Sequence, residues 1–330
     1  MSRRPPSRLK LFAGAAEAGT PLWKLLVDRG GLSEEAARAA IERGAAFVEE
    51  VRERDPQKPV PSGARIEVLL RERGALPPPP PPLEESRIVH LDDDVIAVDK
   101  PAGVLAQEGR SGGLALPDLV AALLAKKFAR RDRQQALLVH RLDRGTTGVT
   151  ILARSREAQA ALLAEFREGR VKKEYRALVA GVPQGETGEI DLALGEDPAA
   201  PGKRRPDPKG EPARTRWLLL ERYEFGAAGS LQPEARSLKP SCFASLIAAF
   251  PETGRTHQVR VHLASIGLPL LGDARYGGPK SLTRPDGTRL ELERPLLHAL
   301  RVGLRAPGGG ALDLQAPLPA DFVQACALLR

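Results

Sequence analysis

Between two apolar segments of the chain lies the polar stretch His140-Arg141-Leu142-Asp143-Arg144-Gly145-Thr146-Thr147-Gly148-Val149. Leu137-Leu138-Val139 precedes it, and an apolar run continues from Val149 to Ala153. The glycines predict a turn between two apolar strands, with Asp143 inside the turn. A carboxylate between two arginines stays ionised well below neutral pH, so Asp143 is a candidate nucleophile or base. A solvated or structural ion pair explains the same local pattern, and these residues alone leave both interpretations open.

A second polar stretch, GRTHQVRVHL, occupies residues 254–263. Thr256 is the predicted N-cap of a helix that ends before Gly267. On such a helix His257 and Arg260 are three residues apart and face the same way. A helix N-terminus with capping side chains is the alternative interpretation of the same residues.

A zinc site is not predicted in this stretch. His257 and His262 are five residues apart, a spacing that does not place both side chains on one helix face, and the sequence offers no third ligand near them. The two cysteines, Cys242 and Cys326, supply no CxxC pair and no disulfide framework. We therefore expect no metal and no cofactor.

The residues from 87 onward alternate between short strands and helices. Predicted strands are the hairpin of Ile88 to Leu91 with Val95 to Val98, then Val149 to Ala153, Val171 to Val179, and Ala244 to Phe250. Predicted helices are one that opens at Pro117 and one that runs from its N-cap Ser155 to Arg167. Leu194 to Pro212 is rich in Gly, Pro, Lys and Arg, which predicts a mobile basic loop.

The clearest boundary in the chain is the proline run from Pro77 to Pro82. Consecutive prolines adopt an extended, semi-rigid conformation that neither a helix nor a central strand can continue. We therefore predict three regions: a small unit of residues 18–72, a linker of residues 73–86, and a large unit of residues 87–330.

The small unit shows helical spacing from Pro21 to Arg29 and from Ser33 to Arg43, with Ser33 as an N-cap and Gly44 as a stop. Short strand-like pieces follow at residues 46–51 and 64–69. This arrangement resembles an S4-type RNA-binding domain. Family members carry basic residues at the start of the second helix, where this sequence has Glu34 and Glu35.

The overall composition agrees with a two-domain protein that has a polyanionic partner. The 330 residues carry 50 Lys and Arg against 42 Asp and Glu, which gives a formal net charge of +8. At roughly 150 residues per domain this length corresponds to about two domains. No apolar run approaches the roughly 20 residues that span a bilayer, so no membrane partner is expected. The cysteine usage predicts a cytoplasmic protein.

Three long motifs occur together and in a fixed order: HRLDRGTTG from His140, KKEYRALVAG from Lys172, and GRTHQVRVHLASIGLPLLGDARYG from Gly254. With VDKPAGV at residues 98–104, RPLLHAL at 294–300 and APLPADF at 316–322, they resemble the RluA-type RNA pseudouridine synthases. The resemblance covers most of residues 87–330. It implies an α+β catalytic fold on a mixed, largely antiparallel β-sheet.

The resemblance also implies roles for individual residues. Asp143 matches the aspartate that attacks the target nucleoside, either at the ribose or through a glycal route. Tyr175 matches the tyrosine that packs on the uracil and accepts the C5 proton, and Arg260 matches the basic partner of the aspartate. Arg141 matches the arginine that enters the space left by the flipped base. The remaining motif residues, assigned to RNA binding as supports of the site, are His140, Thr147, Arg255 and His257.

We therefore expect the protein to isomerise specific uridines in structured RNA, with large-subunit ribosomal RNA as the first candidate substrate and transfer RNA as the second. A monomer without a cofactor is expected. Two alternatives come from other classes: a non-catalytic RNA-binding or ribosome-assembly protein, and an unrelated hydrolase that uses Asp143 with His140 or His257. The joint presence of Asp143, Tyr175 and Arg260 argues against the first alternative. Against the second, the sequence has no nucleophile elbow and no paired-carboxylate pattern.

Overall fold

Two compact units make up the chain in this computed structural model. One comprises Met1–Leu83 with Gln107–Ala122, and the other comprises Glu84–Ala106 with Leu123–Arg330. The structure describes residues 8–69, 80–107, 114–128, 135–225, 242–283 and 287–330. Of the predicted linker, residues 73–79 lie outside the described residues, and so does the first half of the proline run. That the two units fold separately stays a prediction.

The smaller unit contains an antiparallel sheet with the strand order β1-β4-β2-β3. Its elements are β1 (Arg8–Phe12), α1 (Leu22–Asp28), α2 (Glu34–Glu42), β2 (Ala46–Val48), β3 (Val51–Glu53) and β4 (Arg65–Leu69). The two helices, β2 and β4 occur where the sequence pattern predicts them, whereas the piece predicted at residues 46–51 is divided, and β3 begins at its last residue. β1 precedes the predicted start of the unit at residue 18 and extends it toward the N-terminus. The likeness to an S4 domain stays a prediction.

Helix α2 shows how local signals set the boundaries of this unit. The Ser33 hydroxyl accepts a hydrogen bond from the Ala36 amide at 3.2 Å, which satisfies a donor that the first helical turn leaves free. Gly44 follows the helix with a φ of 70°, a conformation that disfavours any residue with a Cβ. Ala37, Ala40 and Ile41 form the buried face of the helix.

The larger unit is built on a ten-stranded mixed sheet. The first strands of this unit, which also holds two two-stranded sheets, are β5 (Ile88–Leu91), β6 (Val95–Lys100), β7 (Leu137–Leu138), β8 (Thr147–Ala153), β9 (Lys172–Ala180) and β10 (Thr187–Asp191). Later strands are β11 (Leu194–Glu196), β12 (Arg204–Pro206), β13 (Arg214–Phe225), β14 (Cys242–Pro251), β15 (Ser281–Thr283), β16 (Arg289–Glu291), β17 (Leu297–Arg305) and β18 (Ala311–Gln315). The helices are α4 (Arg156–Arg167), α5 (Gln258–Ser265) and α6 (Ala320–Leu329). α3 (Leu116–Phe128) is cut by the division into units.

The strand order of the main sheet is β10-β13-β14-β9-β17-β8-β6-β5, with β18 paired to β17 and β7 paired to β8. Among the described strands of this sheet only β17 and β8 run parallel, through His298↔Thr147 and Ala299↔Gly148. All its other ladders are antiparallel. The predicted α+β fold on a mixed, largely antiparallel sheet is therefore confirmed.

Residues 194–212 differ from the prediction. β11 and β12 form a two-stranded antiparallel sheet there, with Leu194 opposite Pro206. The backbone amide of Asp197 also donates to the carbonyl of Lys203 at 2.9 Å. The prediction of a mobile loop is corrected, because cross-strand hydrogen bonds order a segment whose glycines and prolines suggested otherwise. No helix among the described residues is long and apolar enough to cross a membrane.

Candidate active site

A cavity of about 410 Å³ in the larger unit brings the predicted catalytic residues together. Asp143, Tyr175 and Arg260 line it, although they are far apart in the sequence. The turn before β8 supplies Asp143, β9 supplies Tyr175 and α5 supplies Arg260. α4 and the loop of residues 251–257 complete the walls.

The turn that carries Asp143 is closed by a hydrogen bond from the Thr146 amide to the Asp143 carbonyl at 3.0 Å. Gly148 then enters β8 with a φ of 112°, and a Cβ at this position would lie 2.2 Å from the carbonyl oxygen of Ala299. Only glycine therefore permits β8 to approach β17 so closely. This approach places the Asp143 turn beside β17.

Lys100 holds the same turn through hydrogen bonds to backbone carbonyls. Its side chain is fully buried, and Nζ donates to the carbonyls of Val104 at 2.9 Å, Pro101 at 3.0 Å and Arg144 at 3.4 Å. Burial lowers the pKa of Lys100 to about 7, although the charge of Asp143 opposes this shift. The lysine thus ties the VDKPAGV motif to the residue that follows Asp143.

Arg260 bridges two carboxylates. Its Nη1 lies 3.2 Å from Oδ2 of Asp143, while Nε and Nη2 donate to the two oxygens of Asp273 at 2.7 and 2.8 Å. The Asp273 side chain is almost fully buried, so this bidentate pair fixes the plane of the guanidinium. Burial disfavours the charge of Arg260, but Asp273 and Asp143 together raise its pKa above the usual value. The guanidinium is therefore a fixed positive charge beside Asp143.

Helix α5 begins later than predicted, at Gln258, with His257 rather than Thr256 in the N-cap position. The prediction for Thr256 is wrong because the Gln258 side chain, and not the Thr256 hydroxyl, accepts hydrogen bonds from the loop before the helix. Its Oε1 accepts from the Arg255 amide at 3.0 Å and from the Thr253 hydroxyl at 2.7 Å. His257 takes a left-handed conformation with a φ of 59°, which is costly for a residue with a Cβ.

The His257 ring lies between Tyr276 and Asp143. Its Nδ1 is 2.7 Å from the Tyr276 hydroxyl, and its Nε2 is 3.9 Å from Oδ2 of Asp143. Burial lowers the pKa of His257 and raises that of Tyr276, so both groups are neutral at pH 7. The Tyr276 oxygen accepts from the Arg204 amide at 2.9 Å, which leaves its O–H free to donate to Nδ1. In this tautomer the Nε2–H faces Asp143.

Tyr175 lines the cavity from β9, and its hydroxyl makes no hydrogen bond to any residue that the structure describes. Burial raises the pKa of this phenol, and the negative charge of Asp143 adds a smaller effect in the same direction. Ala177 and Val179, two and four residues further along β9, belong to the apolar cluster on the same side of the strand. Tyr175, Ala177 and Val179 therefore share one face of β9, as the alternation of side chains along a strand requires.

Three more of the predicted site residues, two arginines and one histidine, also line the cavity. Arg141 and Arg255 line the cavity and are at least partly exposed; Arg255 also pairs with Glu211 at 3.6 Å. His140 is held by the Ile151 amide, which donates to its Nε2 at 3.0 Å, and its ring stacks on Phe166. Burial lowers the pKa of His140 to about 3. His140 therefore supports the wall of the cavity as a neutral ring.

Thr147 does not reach the cavity. Its side chain is buried, and its hydroxyl is 2.9 Å from Nδ1 of His298. The hydroxyl joins β8 to β17 behind the Asp143 turn, which is the position of a support. The assignment of Thr147 to RNA binding stays a prediction.

Four further residues of the motifs support the site, although the sequence alone predicted no role for them: Lys100, Asp273, Tyr276 and Arg294. Arg294 donates through Nη1 to the Gly145 carbonyl at 3.1 Å and forms a bidentate pair with Asp321. The signal for all four was their place in the long motifs. Spacing alone gave no indication, because each partner lies on a distant segment.

The arrangement suits charge-based chemistry on a neutral, flat substrate. The carboxylate of Asp143 faces the cavity beside a fixed guanidinium, and an aromatic ring with an available O–H forms the adjacent wall. Among the residues that the structure describes, no three His, Cys, Asp or Glu side chains converge as metal ligands.

The chain is similar to known proteins in both sequence and fold. The family described as RNA pseudouridylate synthase matches residues 94–265. An uncharacterized RNA pseudouridine synthase of Mycobacterium bovis is 35% identical over 304 residues, which are 91% of each chain. Ribosomal large subunit pseudouridine synthase D of Haemophilus ducreyi is 34% identical over 251 residues, 74% of this chain and 70% of that protein. The solved structure of human RNA pseudouridylate synthase domain containing 4 has a TM-score of 0.55 and 25% identity, and covers 74% of this chain and 93% of its own.

Proposed function

The chain belongs to the RluA-type RNA pseudouridine synthases and isomerises uridine to pseudouridine in RNA, and from this we propose that Asp143 is its nucleophile and large-subunit ribosomal RNA its substrate. The observation that carries the first part is the 3.2 Å contact between Asp143 and Arg260 at the cavity wall. The second part is supported by relatives named as ribosomal large subunit synthases.

Asp143 is distinguished from the other carboxylate at the cavity by its partners. Glu252 also lines the cavity, but Arg216 donates to it at 2.9 Å on the exposed side of the loop. Asp273 is buried behind Arg260 and does not line the cavity. Among the described residues, Asp143 is therefore the carboxylate best placed to meet a bound ribose.

The reaction breaks the N1–C1′ bond of uridine, rotates the uracil and joins C5 to C1′. The C5 proton leaves and N1 gains a proton, so atoms and electrons balance without an oxidant or a reductant. Asp143 starts the reaction either by attack at the ribose or by opening the glycal route, and both routes begin from an ionised carboxylate. Arg260 stabilises that carboxylate and holds its position.

Tyr175 contributes a flat apolar surface with a polar end. Because burial and the charge of Asp143 raise its pKa, the phenol is protonated at neutral pH. This favours packing on the uracil and hydrogen-bond donation over proton uptake by a phenolate. Taking the base out of its stack costs a few kcal/mol, so uridines in loops are the favoured targets.

The N-terminal unit is proposed to be an S4-like domain that contributes to RNA binding, and the protein to act as a cytoplasmic monomer. The helix–helix–strand order of α1, α2 and β2 supports the S4 likeness. Glu34 and Glu35 begin α2, so we expect this unit to add little to the affinity for phosphate.

The test is to incubate the protein with large-subunit and small-subunit ribosomal RNA and transfer RNA from a strain that lacks the enzyme, and to map pseudouridine at single-nucleotide resolution. We expect new pseudouridine in large-subunit RNA with the wild type and none with Asp143→Asn. Modification confined to transfer RNA would contradict the proposed substrate. An Asp143→Asn protein that retains more than about one per cent of the wild-type rate would contradict the nucleophile.

A further inference from the structure

The arginines that line the active-site cavity differ in whether a carboxylate pairs with them. Four arginines line the cavity, and two of them are paired with carboxylates: Arg260 with Asp143 and Asp273, and Arg255 with Glu211. Arg141 and Arg167 are exposed and have no ion-pair partner within the described part of the chain. Arg141 is already assigned through the family resemblance, which leaves Arg167 without a role.

Arg167 lies in the last turn of α4, and Leu163 lies one turn before it on the same helix face. Leu163 also lines the cavity and is 41% exposed, so its side chain is available to a bound ligand. The opposite face of α4 is fixed to the core by Ala158 and Leu162. The exposed pair is therefore presented by a rigid helix.

We propose that Leu163 and Arg167 form a binding site for the nucleotide next to the target uridine. Arg167 pairs with its phosphate, and Leu163 packs against its base or ribose. This inference rests on the proposed function, because the occupant is the RNA strand whose uridine enters the cavity. The adjoining nucleotide must then pass over the rim.

Two features make RNA the fitting occupant of this surface. The site is continuous with the cavity that takes the target base, so any bound strand extends the same contact. An unpaired guanidinium beside an exposed apolar side chain also matches the phosphate and the base of one nucleotide. The loop of residues 251–257 is less suitable, because Arg255 is already paired with Glu211 and the Glu252 carboxylate of this loop is paired with Arg216.

The test measures RNA affinity in the Asp143→Asn background, so that no product forms. The probe is the smallest large-subunit ribosomal RNA fragment that the wild type modifies, or the intact RNA if no fragment is modified. We expect Arg167→Gln to weaken binding about tenfold and to reduce the log–log salt slope by about one. Leu163→Ala should weaken binding without changing the slope.

The matched control is Arg156→Gln, because Arg156 lies on the same exposed stripe of α4 but does not line the cavity. It should leave both affinity and slope unchanged, and thermal unfolding of all three variants confirms that α4 is intact. Equal losses for Arg156→Gln and Arg167→Gln, or no loss for Arg167→Gln, would overturn the rim site. If the wild type makes no pseudouridine in this RNA, the proposed substrate fails, whereas the rim site is still judged by these affinities.

Discussion

Arg260 lies with Nη1 3.2 Å from Oδ2 of Asp143, and its other two nitrogens donate to Asp273. The buried carboxylate of Asp273 therefore fixes the guanidinium, and the guanidinium in turn fixes the position of the Asp143 carboxylate. Arg260 and Asp143 come from segments that are 117 residues apart in the sequence. A shift of either carboxylate would therefore move the guanidinium for both. The first prediction concerns this bridge.

Arg260→Lys should lower the single-turnover rate by about 100-fold while RNA affinity changes little, because an ammonium cannot reproduce the planar fork that holds Asp273 and Asp143 together. Rapid-quench assays at saturating RNA measure the rate. The control is Arg301→Lys, which alters an ion pair with Asp313 whose side chains are about half exposed. Similar rates for Arg260→Lys and the wild type would contradict the role of the bridge.

Tyr175→Phe tests the free hydroxyl. Because this oxygen has no described protein partner, its removal should leave the free energy of unfolding unchanged while product formation falls. Tyr223→Phe gives the opposite pattern: its hydroxyl donates to Glu221 at 2.7 Å outside the cavity, so its loss should destabilise the fold by about 1 kcal/mol and spare activity. Urea titrations and turnover assays separate the two effects. Full activity of Tyr175→Phe would limit Tyr175 to packing.

Acid should destabilise the protein through two histidines, His140 and His298. Burial lowers the pKa of His140 to about 3 and that of His298 to about 4, against 6.5 for the unfolded residue. The unfolded chain therefore takes up protons before the folded one as pH falls. The stability that these groups contribute is complete above pH 6.5 and is lost progressively toward pH 3 to 4.

Urea unfolding at pH 7 and pH 5 measures this effect, and each histidine can account for up to about 2 kcal/mol of the difference. His140→Gln keeps an oxygen that can accept from the Ile151 amide but does not titrate, so its pH difference should be smaller than that of the wild type. His90→Gln, in the β5–β6 hairpin, serves as the control. An unchanged pH difference in His140→Gln would refute the assignment.

Truncation at Glu84 tests the division into units. The remaining protein should keep the main sheet, but residues 107–122 lose the rest of the unit to which they belong, including the ion pair between Asp118 and Arg54. Hydrogen exchange should therefore quicken in residues 114–122 and stay slow in β8 and β9. Slow exchange throughout would show that these residues do not depend on the N-terminal unit, and loss of all protection would refute separate folding.

Elements set by neighbouring residues could be predicted from the sequence, and α4 is the clearest case. Ser155 caps it by accepting from the Ala158 amide at 3.0 Å, and Gly169 follows its end with a φ of 69°. Both signals lie within a few residues of the helix. The same holds for the β5–β6 hairpin.

Features that depend on distant partners could not be predicted in this way. Thr256 has the right chemistry for an N-cap, but the side chain of Gln258 bonds to the loop amide, and His257 turns toward Tyr276. Lys100 is a charged residue in an apolar strand, and its burial makes sense only with the three carbonyls around it. The motifs identified the family, whereas these contacts required the folded chain.

The parallel pairing of β8 with β17 also has a consequence for the order of synthesis. Arg294 reaches Gly145 across 149 positions and His298 reaches Thr147 across 151, so part of the support of the Asp143 turn comes from segments that are synthesised well after it. Such long-range contacts form late in folding. A nascent chain that stops before Arg294 therefore holds the nucleophile turn through Lys100 but lacks the contacts from β17, and catalytic competence arrives only after β17 has been synthesised.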